Sequence, residues 1–232
     1  MAANPTLRLY EEMLLLELDD DKGTTRMENW LKTEMGGAIL AELAITGAIS
    51  ISNDKKKHVT RVVGHRKPAD PILAEAMTKI KEAKKPKKAS DWVQKFAGIK
   101  DLKQKAARQL VKKRVLKEDT GTVLKIFHRT IYPESNPGPE QDLRRRMEAA
   151  IFSETSDVSA DTVVIISLAK ATGLLDRIFG KKRLKPRKQR IEDLANGQVV
   201  GKATKEAVEA IQAAIMVATM VPIIVTTTSA ST

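Results

Sequence analysis

Apolar positions recur at helical spacing through the Leu-packed, acidic stretch 6–17, which predicts a first helix there. An acidic turn, Asp19-Asp20-Asp21-Lys22-Gly23, follows it. Ala38, Ile39, Leu40, Leu43, Ala44 and Ile45 then form a broad apolar face, and Gly47 is placed as the left-handed stop of a second helix. That helix begins at Glu28 or at Gly37 and ends near Thr46. Ile49-Ser50-Ile51 alternates as a strand does, and residues 59–63 are placed to pair with it across the turn 53–57. Pro68 and Pro71 introduce a helix over 72–84, ended by Pro86. Ser90-Asp91 caps a short helix through Trp92, Val93 and Phe96, closed by Gly98.

Residues 101–114 read as a basic helix with Leu102, Ala106, Leu110 and Val111 on one face. Val115-Leu116 leads into a strand, Glu118-Asp119-Thr120-Gly121 reads as the turn, and residues 123–127 return. Helix, strand, turn and strand thus occur twice, near 37–63 and 101–127. Residues 133–139, rich in Pro, Gly, Asn and Ser, form an internal loop. Beyond it the pattern predicts helices only, at 139–152, 160–171, around Ile178, at 187–195 and at 202–221, with stops at Gly173 and Gly197. Residues 226–232 are small and polar, a flexible tail. The expected fold is mainly α: a single helical-bundle domain spanning 1–232, with one or two small β-hairpins at its edge.

Composition sharpens this picture. Aromatics make up only 3% of the 232 residues, so the core must be built from Leu, Ile, Val, Ala and Met. The absence of cysteine excludes a disulfide scaffold and a thiolate zinc site. The longest apolar run, 213–225, is broken by Thr219 and Pro222 and is shorter than the ~18 residues of a spanning helix. The N-terminus does not read as a signal peptide. A cytoplasmic protein, peripheral on the cytoplasmic face of a membrane, is expected.

The net charge of +12 is unevenly placed. Residues 1–53 carry 4 basic and 9 acidic side chains, residues 54–117 carry 21 and 6, and residues 118–232 carry 16 and 14. The middle segment should attract polyanions, either phosphate backbones or anionic headgroups. On the basic helix, Lys100 and Lys103 share one face, while Lys105, Arg108 and Lys112 form a second stripe. A second run, 181–190, holds seven basic residues in ten, and Pro186 makes it a loop entering a helix. Trp30, near Arg26 and Lys32, is an indole suited either to a membrane interface or to a partly buried packing role.

Enzymatic signals are poor. His58, His65 and His128 stand near basic residues, no His pair has ligand spacing, and neither a phosphate-cradling GxxxxGK[ST] loop nor a GxGxxG turn is present. Glu11-Glu12 and the Asp19–Asp21 run read as a solvated helix face and turn. A non-enzymatic protein with no cofactor and no metal is expected.

The segments LRLYEEMLLLELDD, GGAILAELAITGAISI, ADPILAEAMTKIKEAKKPKKASDWVQKF, ARQLVKKRVLKE and SADTVVIISLAKATGLLDRIF resemble, in that order, the Golgi phosphoprotein 3 family. The resemblance implies a helical domain with a protruding β-hairpin, binding to phosphatidylinositol 4-phosphate on membranes, and adaptor partners. The length and the lack of a basic N-terminal extension suggest a bacterial relative. Aligned back from Glu42, Met27 and Gly36 stand where the family's headgroup pocket carries a Trp and an Arg, and Lys100 and Lys103 stand where it carries two Arg.

The expected function is therefore that of a peripheral adaptor binding anionic phospholipid, phosphoinositides among the candidates. Lys100, Lys103, Arg108 and Trp30 are the headgroup-binding residues. Protein partners or self-association would use the β-hairpin near 115–128. The alternative is a winged-helix-like nucleic-acid-binding protein with helix 101–114 as reader.

Overall fold

The structure is a computed structural model that describes residues 4–19, 25, 28–52, 57–123, 127–199 and 209. The expected helix over 202–221 lies outside the described residues apart from Glu209, and so do the tail 226–232, Met27 and most of the acidic turn.

The mainly α expectation holds. Helix α1 (Leu9–Glu17) is almost wholly buried, with Tyr10, Met13, Leu14 and Leu15 in the core. It packs on α2 (Glu28–Ile45), which starts at the earlier of the two expected positions and runs unbroken through Gly36-Gly37. Gly47 (φ +69°) ends α2 in the left-handed conformation and turns the chain into β1 (Ile49–Ile51). The next strand, β2 (His58–Arg61), pairs antiparallel with β1, Ile49 opposite Arg61 and Ile51 opposite Val59. Val62 and Val63, expected inside it, lie beyond its end and are exposed.

Asp70 caps α3 (Pro71–Lys81) by accepting from Leu73 N–H, while its other oxygen accepts from the buried Tyr10 hydroxyl at 2.6 Å. A third strand that the pattern does not announce, β3 (Lys87–Lys88), then pairs with β2. It leads directly into α4 (Ala89–Ala97), whose Trp92, Val93 and Phe96 are buried; Ser90 sits inside that helix rather than capping it. Helix α5 (Leu102–Lys112) follows.

The hairpin comes later than expected. Residues 119–121 belong to β4 (Asp119–Val123), paired with β5 (Phe127–Ile131), and are not the turn. The Leu116–Glu134 bridge and the Lys117 N–H to Pro133 carbonyl bond extend the same two-stranded ribbon toward the core and set its register.

Helix α6 (Gly138–Phe152) and α7 (Ala160–Ala171) match the pattern closely, Ser159 capping α7. Helices α8 (Leu174–Phe179), α9 (Lys181–Leu184) and α10 (Lys188–Ala195) complete the described fold, a 3-10 turn through Pro186 joining α9 to α10. The run 181–190 is thus helical nearly throughout rather than a loop. One contiguous apolar cluster runs from Leu9 to Leu194.

A candidate anion-binding face

The basic helix is fixed by its buried stripe of Leu102, Ala106, Ala107 and Leu110, and its cations leave that stripe in different directions. Lys100 is exposed in the turn before α5. Lys103 Nζ donates to Thr25 Oγ1 at 2.9 Å, so the start of α5 is tied to the α1–α2 connection. Lys105 pairs with Glu75 at 2.6 Å, and Lys113 pairs with Glu11 at 2.5 Å while also donating to the Thr6 carbonyl. Arg108 is exposed beside the buried Tyr132, whose hydroxyl pKa burial raises and Arg108 lowers. Five residues at ~100° each place Lys103 and Arg108 about 140° apart around the helix. The expected site residues therefore divide: Lys100 and Lys103 lie together at the start of α5, and Arg108 faces the ribbon. Trp30 is half-buried in the first turn of α2.

Position 36 faces α4. A Cβ built on Gly36 would lie 2.4 Å from the Val93 carbonyl oxygen and 2.9 Å from Ala97 N, so α2 and α4 meet there backbone to backbone.

Much of the positive charge of the middle segment sits elsewhere, at clefts between α3, β2, β3 and α4. One of about 630 Å³ is lined by Lys79, Lys84, Lys85, Lys87, Lys95 and Trp92, with Glu82 as its one acidic lining residue. Neighbouring clefts add Arg61, Lys67 and Lys81. Trp92 is 1% exposed, and its Nε1–H has no partner among the described residues. The run KEAKKPKKAS carried the signal for this cluster, but its convergence depends on β3 folding back on β2. Such a surface concentrates anions, with lysines acting as point charges.

Glu11 and Glu12 are not a solvated face, contrary to expectation. Glu11 is 0% exposed and accepts from Arg8 N–H as well as Lys113. Glu12 pairs with Arg146 and Glu17 with Arg177, while Glu42 receives Leu9 N–H and Arg8. Burial pushes Glu12 up to about 7 against the pull of Arg146, and pushes Glu34 up to about 8, helped by repulsion from Glu17. These carboxylates fasten α1 and α2 to the rest of the molecule. His65 is engaged by the Thr46 and Arg66 carbonyls. Among the described residues no group of three side chains is placed to hold a metal, and no helix is long and apolar enough to cross a membrane.

The model of the family described as Golgi phosphoprotein 3 (GPP34) matches residues 9–211, most of the chain. The chain belongs to the Golgi phosphoprotein 3 family. A curated relative, vacuolar protein sorting-associated protein 74 of Eremothecium gossypii, is 26% identical over 162 residues, 62% of this chain and 48% of its own length. The chain spans about half the length of the curated relative it matches.

Proposed function

We propose that this family member is a non-enzymatic adaptor that meets anionic phospholipid headgroups with its basic face. The observation that carries the reading is the set of exposed cations without a carboxylate partner among the described residues: Lys100 and Arg108 around α5, and Lys84, Lys85 and Lys95 at the neighbouring clefts. Lys103 and Trp30 complete the contact region at the starts of α5 and α2. The family match supports the adaptor class, with protein partners or self-association assigned to the β4–β5 ribbon.

The chemistry favours general anionic charge over a single headgroup. Lysines at 100 and 103 offer no bidentate fork to a phosphate, and Gly36 offers no side chain. Vesicles containing phosphatidylserine or phosphatidylinositol 4-phosphate at matched charge should therefore bind to similar extents.

Vesicle co-sedimentation tests this. Each basic residue near an anionic surface contributes about 1 kcal/mol, so reversing two charges should weaken binding roughly 30-fold or more. The Lys100→Glu, Lys103→Glu double variant is expected to lose binding to that extent. Equal binding to neutral vesicles, or unchanged binding by the variant, would overturn the reading. Tight binding of duplex DNA with a steep salt dependence would instead support the nucleic-acid alternative. The carboxylates already engaged by Lys105 and Lys113 weigh against α5 as a reading helix.

A further inference from the structure

The second basic run, 181–190, plays no part in that reading, and its three arginines and three of its four lysines take different sides of the chain. Its arginines all turn toward α6 and the segment after it. Arg183 pairs with Glu148 and lies over the Phe152 ring, 4.2 Å from its centroid. Arg187 reaches Glu154 at 2.5 Å and the Phe152 carbonyl at 2.8 Å, and Arg190 donates to the Ala150 and Thr155 carbonyls. Lys181, Lys185 and Lys188 take the other side. Spacings of four and three put them on one face of the α9–α10 track, and none has an acidic partner among the described residues.

That face borders a groove of about 270 Å³ between α9–α10 and the α7–α8 corner. Leu175, Leu184 and Ile191, buried in the core, give it an apolar floor. At the rim Lys170 and Glu192 neutralise each other, and Asp176 is the remaining acid facing the three lysines. At Gly173, on the opposite wall, no atom lies within 4 Å of where a Cβ would stand.

We propose that this groove binds a free, single-chain amphiphile with an anionic head, a medium-chain carboxylate or alkyl phosphate. The tail would lie on Leu175, Leu184 and Ile191 while the head meets Lys181, Lys185 and Lys188. An apolar floor by itself would accept any hydrocarbon. Three lysines converging on its edge select for negative charge at one end of the ligand. The volume, about 270 Å³, lies just below the ~300–1,000 Å³ range of drug-sized ligand pockets, which fits one short chain and not a two-chain phospholipid.

Isothermal titration of the full chain with octanoate, octyl phosphate, 1-octanol and inorganic phosphate tests the proposal. Octanoate and octyl phosphate should each saturate at one per chain, with 1-octanol and inorganic phosphate about tenfold weaker or more, because each lacks one half of the contact. The triple variant Lys181→Glu, Lys185→Glu, Lys188→Glu should weaken octanoate about tenfold or more with its melting temperature unchanged. Asp176→Lys, which removes the opposing acid, should tighten it. Equal affinity for 1-octanol and octanoate, unchanged affinity in the triple variant, or no gain from Asp176→Lys would overturn the proposal. None of these substitutions touches Lys100 or Lys103, so this outcome is independent of the vesicle test.

Discussion

Gly36 decides how closely α2 and α4 pack, and Gly36→Ala measures it. The added methyl carbon would sit 2.4 Å from the Val93 carbonyl oxygen and 2.9 Å from Ala97 N, whereas ordinary contacts begin near 3.4 Å. Relief needs a relative shift of the helices of about 1 Å, because both clashing atoms are backbone and no rotamer change can move them. Overpacking of this kind costs about 1–3 kcal/mol and sometimes more, and a rigid backbone neighbour places the cost at or above the upper end. The helix-propensity gain of Ala over Gly returns about 1 kcal/mol. A net loss of about 2 kcal/mol corresponds to a fall of roughly 4–8 °C in melting temperature for a chain of this size. Urea titration followed by tryptophan fluorescence suits the test, since Trp92 is buried one residue before Val93. An unchanged or raised midpoint would refute the close-approach account. An arginine at this position is expected to prevent this packing altogether, so a side chain reaching a headgroup from position 36 requires a different α2–α4 spacing.

Three further substitutions probe the buried charges. Glu34 accepts from the Thr172 hydroxyl through Oε1, and its Oε2 has no partner among the described residues. Its folded pKa of about 8 lies above the ordinary 4.5, so the folded chain keeps a proton that the unfolded chain releases. This contribution is full below pH 4.5 and is lost as pH rises through 8, by up to about 1.4 kcal/mol per pH unit. Glu34→Gln should match the parent near pH 4.5 and exceed it at pH 9 in urea midpoint; a relative gain by the parent with rising pH would contradict the sign. Lys113→Met strands the Glu11 carboxylate in the core and should cost about 3–5 kcal/mol. Adding Glu11→Gln should recover a large part of that loss, and a double-mutant cycle showing strictly additive losses would count against the pairing.

The helical skeleton was legible because its signals are local. Ser159 and Gly173 bracket α7, and Pro139 and Phe152 mark α6 almost to the residue. Gly36-Gly37 left the start of α2 open between Glu28 and Gly37. Two glycines resemble a helix opening, yet they stand mid-helix because Gly36 serves a contact with α4, nearly sixty residues downstream. The Glu-Asp-Thr-Gly stretch at 118–121 carries turn chemistry, but pairing with β5 draws residues 119–121 into a strand. No propensity announces β3, two lysines that are a strand only because Val59 and His58 offer an edge. At the candidate site the helical placement of the lysines was legible and their partners were not. Lys103 meets Thr25 and Lys113 meets Glu11, contacts 78 and 102 positions apart in the chain.

Those distant partners also change what the charge distribution means. The acidic excess of the first 53 residues is largely spent inside the fold, where Glu11, Glu12 and Glu17 each hold a cation from beyond residue 112. Arginine does most of this internal work. Arg177 joins Glu17 to the Leu16 carbonyl, Arg187 joins Glu154 to the Phe152 carbonyl, and Arg190 bridges two carbonyls. A planar fork can satisfy several fixed acceptors at once, whereas a lysine ammonium is a single, strongly hydrated charge on a flexible stem. Lysines are accordingly most of what the fold leaves at its clefts, Lys84, Lys85, Lys87 and Lys95 beside Trp92 and Lys181, Lys185 and Lys188 at the α8–α10 groove, with Arg61 joining them at the clefts beside β2. Arg108 is the exposed exception on α5. Under the proposed function, anion attraction therefore rests mainly on the unpaired lysines, and a count of basic residues along the sequence, which weights arginine equally, points partly at the scaffold.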